Sequence, residues 1–262
     1  MLKITSKDNL RIKELSKLYT SKRARKESGR FVLEGVRLVR DALFCGVEIA
    51  SVFVTEDGIR RLGDAFSALE SKAGEVFLID DGLASRVGDT TTPQGVFAVC
   101  KGSLTTKELP KKGESCLILA SLQDPGNIGT ILRSAAAFGL PVVMSSDCPD
   151  PASPKVLRAA MGVRKACVVD DISETIKALR LRGTRVWAAA LGEGSRPVDE
   201  VSLDDSAVVI GNEGNGLPES VIAVCDAPVI LPIEPGCESL NAAAAATIFA
   251  WELARAKRGQ GR

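Results

Sequence analysis

A series of short, continuous apolar runs in the second half of this chain limits the folds it can adopt. The runs are SCLILAS, PVVMSS, KACVVD, RVWAAAL, AVVIG at 207–211 and PVILPI at 228–233. Apolar and polar residues do not alternate within them, which is typical of parallel strands covered by helices on both faces. Helical patterns separate them, from about 127, from about 154, over 173–182, over about 218–224 and from about 240 to 257. The sequence therefore predicts an α/β domain over 115–262, with a parallel sheet and helices on both faces.

The first hundred residues predict a second, smaller α/β domain. Its candidate strands are FVLEG at 31–35, SVFVT at 51–55, EVFLID at 75–80 and GVFAVC at 95–100. We expect one basic helix over 6–28 and a single helix over RLGDAFSALESKA. The polar segment KGSLTTKELPKKGE at 101–114 has no periodicity and is the best candidate for a linker. The expected domains are therefore 1–100 and 115–262.

Composition removes several kinds of chemistry. The chain has no histidine, and its seven cysteines are scattered, so we expect small, buried or reduced cysteines, no metal site and no His-activated nucleophile. The most apolar stretch, at 242–251, is shorter than the roughly 20 residues that span a membrane, and the N-terminus lacks the apolar core of a secretory signal. We expect a cytoplasmic protein without membrane contact, whose catalysis would use Arg, Lys, Glu, Asp or a cofactor.

Basic residues concentrate at the start of the chain. Residues 1–40 carry 12 lysines and arginines against 4 aspartates and glutamates, although the whole chain has a net charge of only +1. A basic block on a nearly neutral protein favours contact with a polyanion, most often nucleic acid. A solvated helix face is the alternative. The candidate RNA-binding residues in this block are Lys22, Arg23, Arg25, Lys26 and Arg30.

Three segments of the second half interrupt the simple strand–helix pattern. The first is DPGNIGTILRSAAAFG at 124–139, where Asn127 could cap a helix and Arg133 could lie over the strand ends. The second is IGNEGNGLP at 210–218, whose glycines allow close approach of a ligand although it matches neither a Walker motif nor GxGxxG. The third is ILPIEPGCESLNAAAAATIFAWE at 230–252, in which Ser239 or Asn241 could cap an Ala-rich helix. Each segment alone also fits a purely structural role.

In this order and spacing, the three segments resemble the motifs of the SpoU (TrmH-type) family of SPOUT RNA methyltransferases. The similarity extends over about 115–257. The first half resembles, more loosely, a ribosomal-protein-like RNA-binding domain, through FVLEGVRLVRDAL and TTTPQGVFAV. The absence of a glycine fingerprint after the first strand disfavours a nucleotide-dependent oxidoreductase.

The resemblance implies a deep trefoil knot in which S-adenosylmethionine binds against backbone groups. The contacts implied for this chain are Gly211, Leu231 and Leu240, with Ala190, Asn212 and Ile230 nearby. A knot brings backbones close together, which small residues permit.

The implied reaction is methyl transfer to a ribose 2′-hydroxyl of RNA, with large-subunit (23S) ribosomal RNA as the expected substrate. Catalytic roles then fall to Asn127, Arg133, Ser239 and Asn241, and Glu213 could orient Arg133. The family arginine is usually proposed to help remove the hydroxyl proton. A guanidinium with a pKa above roughly 12 is a poor base, so stabilisation of a developing alkoxide is the alternative role.

The resemblance also implies a homodimer whose active sites combine residues of both subunits, with the Ala-rich final helix as an interface element. Basic residues within 11–30 would grip the RNA backbone in a salt-sensitive way. A transfer RNA substrate and a non-catalytic RNA-binding or ribosome-assembly protein are the alternatives.

Overall fold

The computed structural model describes residues 1–88, 94–234, 236 and 239–259. The chain divides into two compact units, the first Met1–Leu104 with Ala152–Val163 and the second Thr105–Pro151 with Arg164–Arg262. A short segment from the middle of the chain thus belongs to the first unit, which a division at 101–114 does not anticipate. In the part of the chain that the structure describes, no helix is both long and apolar enough to cross a membrane.

Residues 1–104 alternate between short strands and helices. In chain order these are β1 (Leu2–Lys3), α1 (Leu10–Thr20), α2 (Lys22–Ser28), β2 (Arg30–Glu34), α3 (Val36–Phe44), β3 (Ile49–Val54), α4 (Glu56–Leu62), α5 (Ala65–Lys72), β4 (Glu75–Leu78), α6 (Asp81–Val87) and β5 (Val96–Lys101). The strands form one sheet in the order β1-β4-β3-β5-β2. Strand β5 runs antiparallel to both of its neighbours, and β4 runs parallel to β1 and β3. The four predicted strands are confirmed.

Two predicted helices of the first unit are wrong because each is divided. Ser21 separates α1 from α2 with an extended backbone, and its side chain caps α2 by accepting a hydrogen bond from the Ala24 N–H. Gly63 separates α4 from α5 with a φ of +55°, a conformation that glycine adopts without steric cost. A serine and a glycine inside helical patterns were therefore signals of a break.

Residues 105–259 supply the larger sheet. Their elements are β6 (Thr105–Thr106), β7 (Cys116–Leu119), α7 (Pro125–Ala137), β8 (Val142–Ser145), α8 (Pro154–Ala160), β9 (Ala166–Val169), α9 (Ile172–Leu181), β10 (Arg185–Ala189), β11 (Arg196–Pro197), a 3₁₀ turn (Val198–Glu200), β12 (Ser206–Ile210), α10 (Glu219–Ile222), β13 (Ala227–Ile230) and α11 (Ala242–Gly259). The strands follow the order β11-β13-β10-β12-β7-β8-β9-β6, and every pairing is parallel. The predicted parallel sheet is confirmed. Part of the expected linker joins this sheet, since β6 pairs with β9.

Helices cover both faces of this sheet. On one face, Ile176 and Leu179 of α9 are buried against apolar strand residues such as Val186. Helices α7 and α11 pack against each other, and a 2.8 Å hydrogen bond joins their Ser134 and Thr247 hydroxyls. Because helices cover both faces of the sheet, both sides of each strand are buried, which explains the continuous apolar runs in the sequence.

Most cysteines have the predicted buried, reduced character. Within the described chain, Cys45 is exposed and free, which still fits the expectation of buried or reduced cysteines. The buried free cysteines are Cys100, Cys116, Cys148, Cys167 and Cys225. Burial raises the pKa of Cys116 to about 12, so this thiol is not a nucleophile at neutral pH. Cys237 lies outside the described residues.

Candidate active site

The loops after β7, β10, β12 and β13 lie at one edge of the large sheet, because these strands are parallel neighbours. Ligands of α/β sheets bind outside the carboxyl ends of the strands. The three segments singled out in the sequence follow β7, β12 and β13. The fold therefore brings together three loops that are far apart in sequence.

The first of these loops leads into α7, and the residue that caps this helix is not the predicted one. Asp124 is the N-cap residue, because its side chain accepts a 2.8 Å hydrogen bond from the Asn127 backbone N–H. Pro125 then occupies the first helical turn, where its missing N–H has no cost. The prediction that Asn127 caps the helix is wrong, and its side-chain amide is left to bond elsewhere.

Glu213 of the second loop receives that amide. Its Oε1 accepts a 3.0 Å hydrogen bond from Asn127 Nδ2, while its two oxygens also accept the backbone N–H groups of Gln123 and Asp124. Partial burial acts to raise the pKa of Glu213, but these hydrogen bonds outweigh it and the pKa is lowered. Within this chain the carboxylate is directed at the start of α7, and the orientation of Arg133 by Glu213 stays a prediction.

Asn241 connects the third loop to the same network. Its Nδ2 donates a 3.1 Å hydrogen bond to Asn127 Oδ1. Its own Oδ1 accepts the N–H groups of Ala243 and Ala244, so Asn241, rather than Ser239, caps α11. Glu213, Asn127 and Asn241 therefore form one hydrogen-bonded chain that joins all three loops.

The second loop, residues 211–217, folds back on itself. Asn212 and Gly216 exchange backbone hydrogen bonds of 3.0 and 2.9 Å, and Gly216 has a φ of +66°. A Cβ on Gly211 would lie 2.4 Å from the carbonyl carbon of Gly216, so no larger residue fits there. Glycine is needed at Gly211 for close approach of the Gly216 backbone and at Gly216 for positive φ, whereas close approach of a ligand stays a prediction.

A cavity of about 620 Å³ opens between these loops. Its walls include all six predicted cofactor-binding residues and two predicted catalytic ones, namely Ala190, Gly211, Asn212, Ile230, Leu231, Leu240, Glu213 and Ser239. Sequence reasoning missed Leu191, Glu234 and Phe249, which also line it. Leu191 adjoins Ala190, and Phe249 lies one helical turn beyond Ala245, which also lines the cavity, so loop position and helix face were available signals.

The cavity fits a cationic cofactor with a flat aromatic base. Among its described lining residues, the charged ones are Glu213 and Glu234, both acidic. S-adenosylmethionine carries a sulfonium, an ammonium and a carboxylate, which gives it a net positive charge at neutral pH. Apolar walls with a few polar groups are typical of such sites. No group of side chains suited to a metal ion occurs among the described residues.

Arg133 lies outside this hydrogen-bonded chain. It is an exposed residue of α7, and among described residues its guanidinium has neither a hydrogen-bond nor an ion-pair partner. The structure therefore brings together Asn127, Glu213 and Asn241. It leaves Arg133 available to a ligand from outside.

The predicted RNA-binding cluster divides into exposed and buried members. Arg25 is only 6% exposed, and its Nη1 donates to the carbonyls of Leu18 and Tyr19 at the end of α1. Its assignment to RNA is wrong, because the guanidinium is taken up by the fold. The other four stay predictions: Lys22, Arg23 and Lys26 are exposed, and Arg30 is half-buried beside Glu14.

The fold and cavity define an α/β protein with a ligand site at the carboxyl ends of its parallel strands, and comparison with known proteins assigns it to a family. The chain belongs to the SpoU rRNA Methylase family, whose model matches residues 114–251. A model of the MRM3-like substrate binding domain matches residues 9–98.

Curated relatives extend over nearly the whole chain. The 23S rRNA (guanosine(2553)-2′-O)-methyltransferase RlmP of Bacillus subtilis is 31% identical over 257 residues, which covers 97% of this chain and 99% of that protein. The mouse mitochondrial rRNA methyltransferase 3 is 28% identical over 312 residues, covering 95% of this chain and 72% of that one.

Solved structures have the same fold. The AdoMet-bound rRNA methyltransferase of Sinorhizobium meliloti is 28% identical with a TM-score of 0.79, covering 97% of both chains. The SpoU methyltransferase AviRb of Streptomyces viridochromogenes, in complex with AdoMet, is 26% identical with a TM-score of 0.81, covering 97% of this chain and 100% of that one. The predicted family is confirmed, and the protein is an RNA ribose 2′-O-methyltransferase that uses S-adenosylmethionine.

Proposed function

We propose that the protein methylates the ribose 2′-hydroxyl of one nucleotide in large-subunit (23S) ribosomal RNA. The hydrogen-bonded chain Glu213–Asn127–Asn241 carries this proposal, because it ties the three loops together beside the cavity. The rRNA activities in the names of the relatives and the substrate-binding model support the choice of RNA. A cytoplasmic location would follow for a bacterial ribosomal substrate.

The proposed cofactor site is the cavity between the loops. Gly211, Leu231 and Leu240 would present backbone groups and small surfaces to S-adenosylmethionine, with Ala190, Asn212 and Ile230 around them. Bound there, S-adenosylmethionine would supply an electrophilic methyl group for transfer to a ribose oxygen. The carboxylates of Glu213 and Glu234 would favour its positive charge.

Arg133 is proposed to act on the RNA rather than on the cofactor. A guanidinium is a poor base, so removing the hydroxyl proton is not the role proposed for it. It would stabilise negative charge on the 2′-oxygen and on the adjacent phosphate, which can accept the hydroxyl proton. Glu213 would fix Asn127, and Asn127, Ser239 and Asn241 would then position the ribose.

RNA is proposed to be held by exposed cations of α2. Lys22 and Lys26 are exposed, and Arg23 is exposed although it pairs with Glu27 at 2.6 Å. Such exposed pairs are weak and exchange readily for phosphate. Arg30 would contribute less because Glu14 lies 2.7 Å from it.

We further propose a homodimer and a knotted third loop, as the resemblance implies. Trp251 and Ile248, one turn apart on α11, are 45% and 40% exposed, which fits an interface that includes the α7–α11 face. The expected mass in solution is twice the 27.6 kDa of one chain. Light scattering on wild type and on Trp251→Glu tests this, and a monomeric wild type would contradict it.

The decisive experiment is methyl transfer from tritiated cofactor to unmodified transcripts of 23S rRNA and, separately, transfer RNA. After digestion to nucleosides, the label is expected in a 2′-O-methylnucleoside of the 23S transcript. Label in bases would contradict the reaction, and label in transfer RNA alone would favour the alternative substrate.

The role of Arg133 is tested with Arg133→Ala and a matched control, Arg182→Ala, which alters another exposed arginine. Loss of charge stabilisation is expected to lower kcat at least about 100-fold in the first variant. Cofactor affinity, measured by calorimetry, should be unchanged in both. A large loss of affinity in Arg133→Ala would contradict the proposed division of roles.

A further inference from the structure

Ser121, just beyond the end of β7, has a backbone conformation that is rare for its residue type. Its φ is +57°, in the left-handed region that favours glycine. For other residues this region is strained, and such residues cluster at functional sites. Surrounding contacts must therefore hold Ser121 in this conformation.

Ser145, at the end of the neighbouring strand β8, supplies one such contact. Its buried hydroxyl oxygen accepts a 2.9 Å hydrogen bond from the Ser121 backbone N–H. The same hydroxyl is hydrogen-bonded to the carboxylate of Asp147. A carboxylate can only accept, so the Ser145 proton is directed at Asp147 and its lone pairs are directed at Ser121.

The left-handed turn at Ser121 presents its carbonyl to the cofactor loop. That oxygen accepts a 2.8 Å hydrogen bond from Asn212 Nδ2. Asn212 Oδ1 in turn accepts the backbone N–H groups of Gly214 and Asn215, which closes loop 211–217. If Ser121 turned to negative φ, its carbonyl would rotate away and Asn212 would lose this partner.

We propose that Ser145, oriented by Asp147, is a positioning residue for the cofactor-binding loop and acts through Ser121 and Asn212. The inference rests on the proposed cofactor cavity, since Gly211, Asn212 and Glu213 line it. Glu213 already holds this loop to the start of α7. The hydrogen bonds from Ser145 through Ser121 to Asn212 are a second attachment of the same loop.

The test compares Ser145→Ala with Ser206→Ala, a control that removes another buried serine hydroxyl, at the start of β12. Cofactor affinity is measured by calorimetry, and amide hydrogen exchange of residues 211–217 is measured without cofactor. Ser145→Ala is expected to weaken cofactor binding about 10-fold, equivalent to one hydrogen bond of about 1.4 kcal/mol, and to speed loop exchange. Ser206→Ala should change neither, whatever it does to the melting temperature.

Two changes at Ser121 separate positioning from general destabilisation. Ser121→Gly accepts positive φ without strain, so adding it to Ser145→Ala should restore part of the affinity. Ser121→Val resists positive φ and should reproduce the Ser145→Ala defect on its own. KM for the cofactor should rise in the defective variants, with KM for RNA unchanged.

Three results would overturn the inference: wild-type affinity and loop exchange in a folded Ser145→Ala protein, an equal loss in Ser206→Ala, or no restoration by Ser121→Gly. A wild-type protein that binds no cofactor would instead contradict the proposed cavity. Hydrogen exchange then still reports whether Ser145 holds the loop.

Discussion

Two glutamates, one in each unit, connect segments that are distant in sequence, but they do so in opposite ways. Glu34 ends β2 in the first unit, and its carboxylate accepts hydrogen bonds from Arg158 of α8 and from the Tyr19 hydroxyl. Its side chain is only 3% exposed. Glu213 is exposed and takes its hydrogen bonds from neutral donors, two backbone N–H groups and the Asn127 amide.

The difference indicates what each connection is for. A buried carboxylate with a charged partner is costly to disturb, because either partner alone is left uncompensated in the interior. An exposed carboxylate that binds loops through neutral groups contributes little to stability but fixes their geometry. We therefore expect Glu34 to matter for folding and Glu213 for catalysis.

Removing Glu34 should produce the largest change in stability. Glu34→Ala leaves Arg158 without this carboxylate, with the neutral Tyr19 hydroxyl as a remaining partner, and is expected to lower the free energy of unfolding by about 3–5 kcal/mol. Chemical denaturation measures this. The double variant Glu34→Leu with Arg158→Met should recover much of the loss, and a single-variant effect below about 1 kcal/mol would contradict the comparison.

Removing Glu213 should reverse the pattern. Glu213→Ala frees Asn127 and is expected to lower kcat about 100-fold, equivalent to about 2.7 kcal/mol. Its melting temperature should stay close to wild type. Glu193→Ala, which alters an exposed glutamate outside the cavity lining, is the control and should retain full activity. A large loss of stability in Glu213→Ala, without a loss of rate in the folded protein, would contradict the distinction between the two carboxylates.

The basic residues of α2 show the same contrast between a charge that stabilises the fold and charges proposed to serve function. Arg25→Met removes hydrogen bonds to two α1 carbonyls and should lower stability by about 1–3 kcal/mol, with the salt dependence of RNA binding unchanged. Lys22→Gln with Lys26→Gln should leave stability unchanged and reduce the slope of log affinity against log salt by about 1–2. Filter binding across salt concentrations distinguishes them. An altered slope in Arg25→Met would indicate that Arg25 does contact RNA.

The smallest expected effect is a pH dependence of stability. The pKa of Glu213 is lowered below its ordinary value of 4.5 in the folded protein. Its contribution to stability is therefore fully present above that pH and is lost as the pH falls through the lowered pKa. The difference in unfolding free energy between wild type and Glu213→Gln should be constant above pH 4.5 and shrink below it. A difference that grows towards low pH would contradict the sign of the shift.

The sequence predicts strands better than it predicts contacts. Apolar runs identified the longer strands of both sheets, because buried strands are apolar in local sequence. The two-residue strands β1, β6 and β11 were missed, since they are too short to form such runs. The cap at Asp124 was missed because Asn127 offers the same chemistry three residues later, and only the backbone geometry distinguishes them. Arg25 was assigned to RNA because a cluster of cations does not reveal which member turns inward.

The hydrogen-bond partners of the two glutamates could not be predicted from local sequence patterns either. Glu213 meets Asn127 across 86 residues of sequence and Glu34 meets Arg158 across 124. Such pairs depend on the topology of the sheets. The glycine-rich character of loop 211–217 was readable, whereas the left-handed serine at 121 has no signature in its residue type.

The insertion of residues 152–163 into the first unit has a consequence for dissecting the protein. The chain passes between the units three times, at 104/105, 151/152 and 163/164. A fragment that ends near residue 104 would lack Arg158, leaving the buried carboxylate of Glu34 without its cation. Separate expression of the two halves, or a single protease cut in the 101–114 segment, should therefore not yield an independent, native first unit, although the covalent chain looks divisible there.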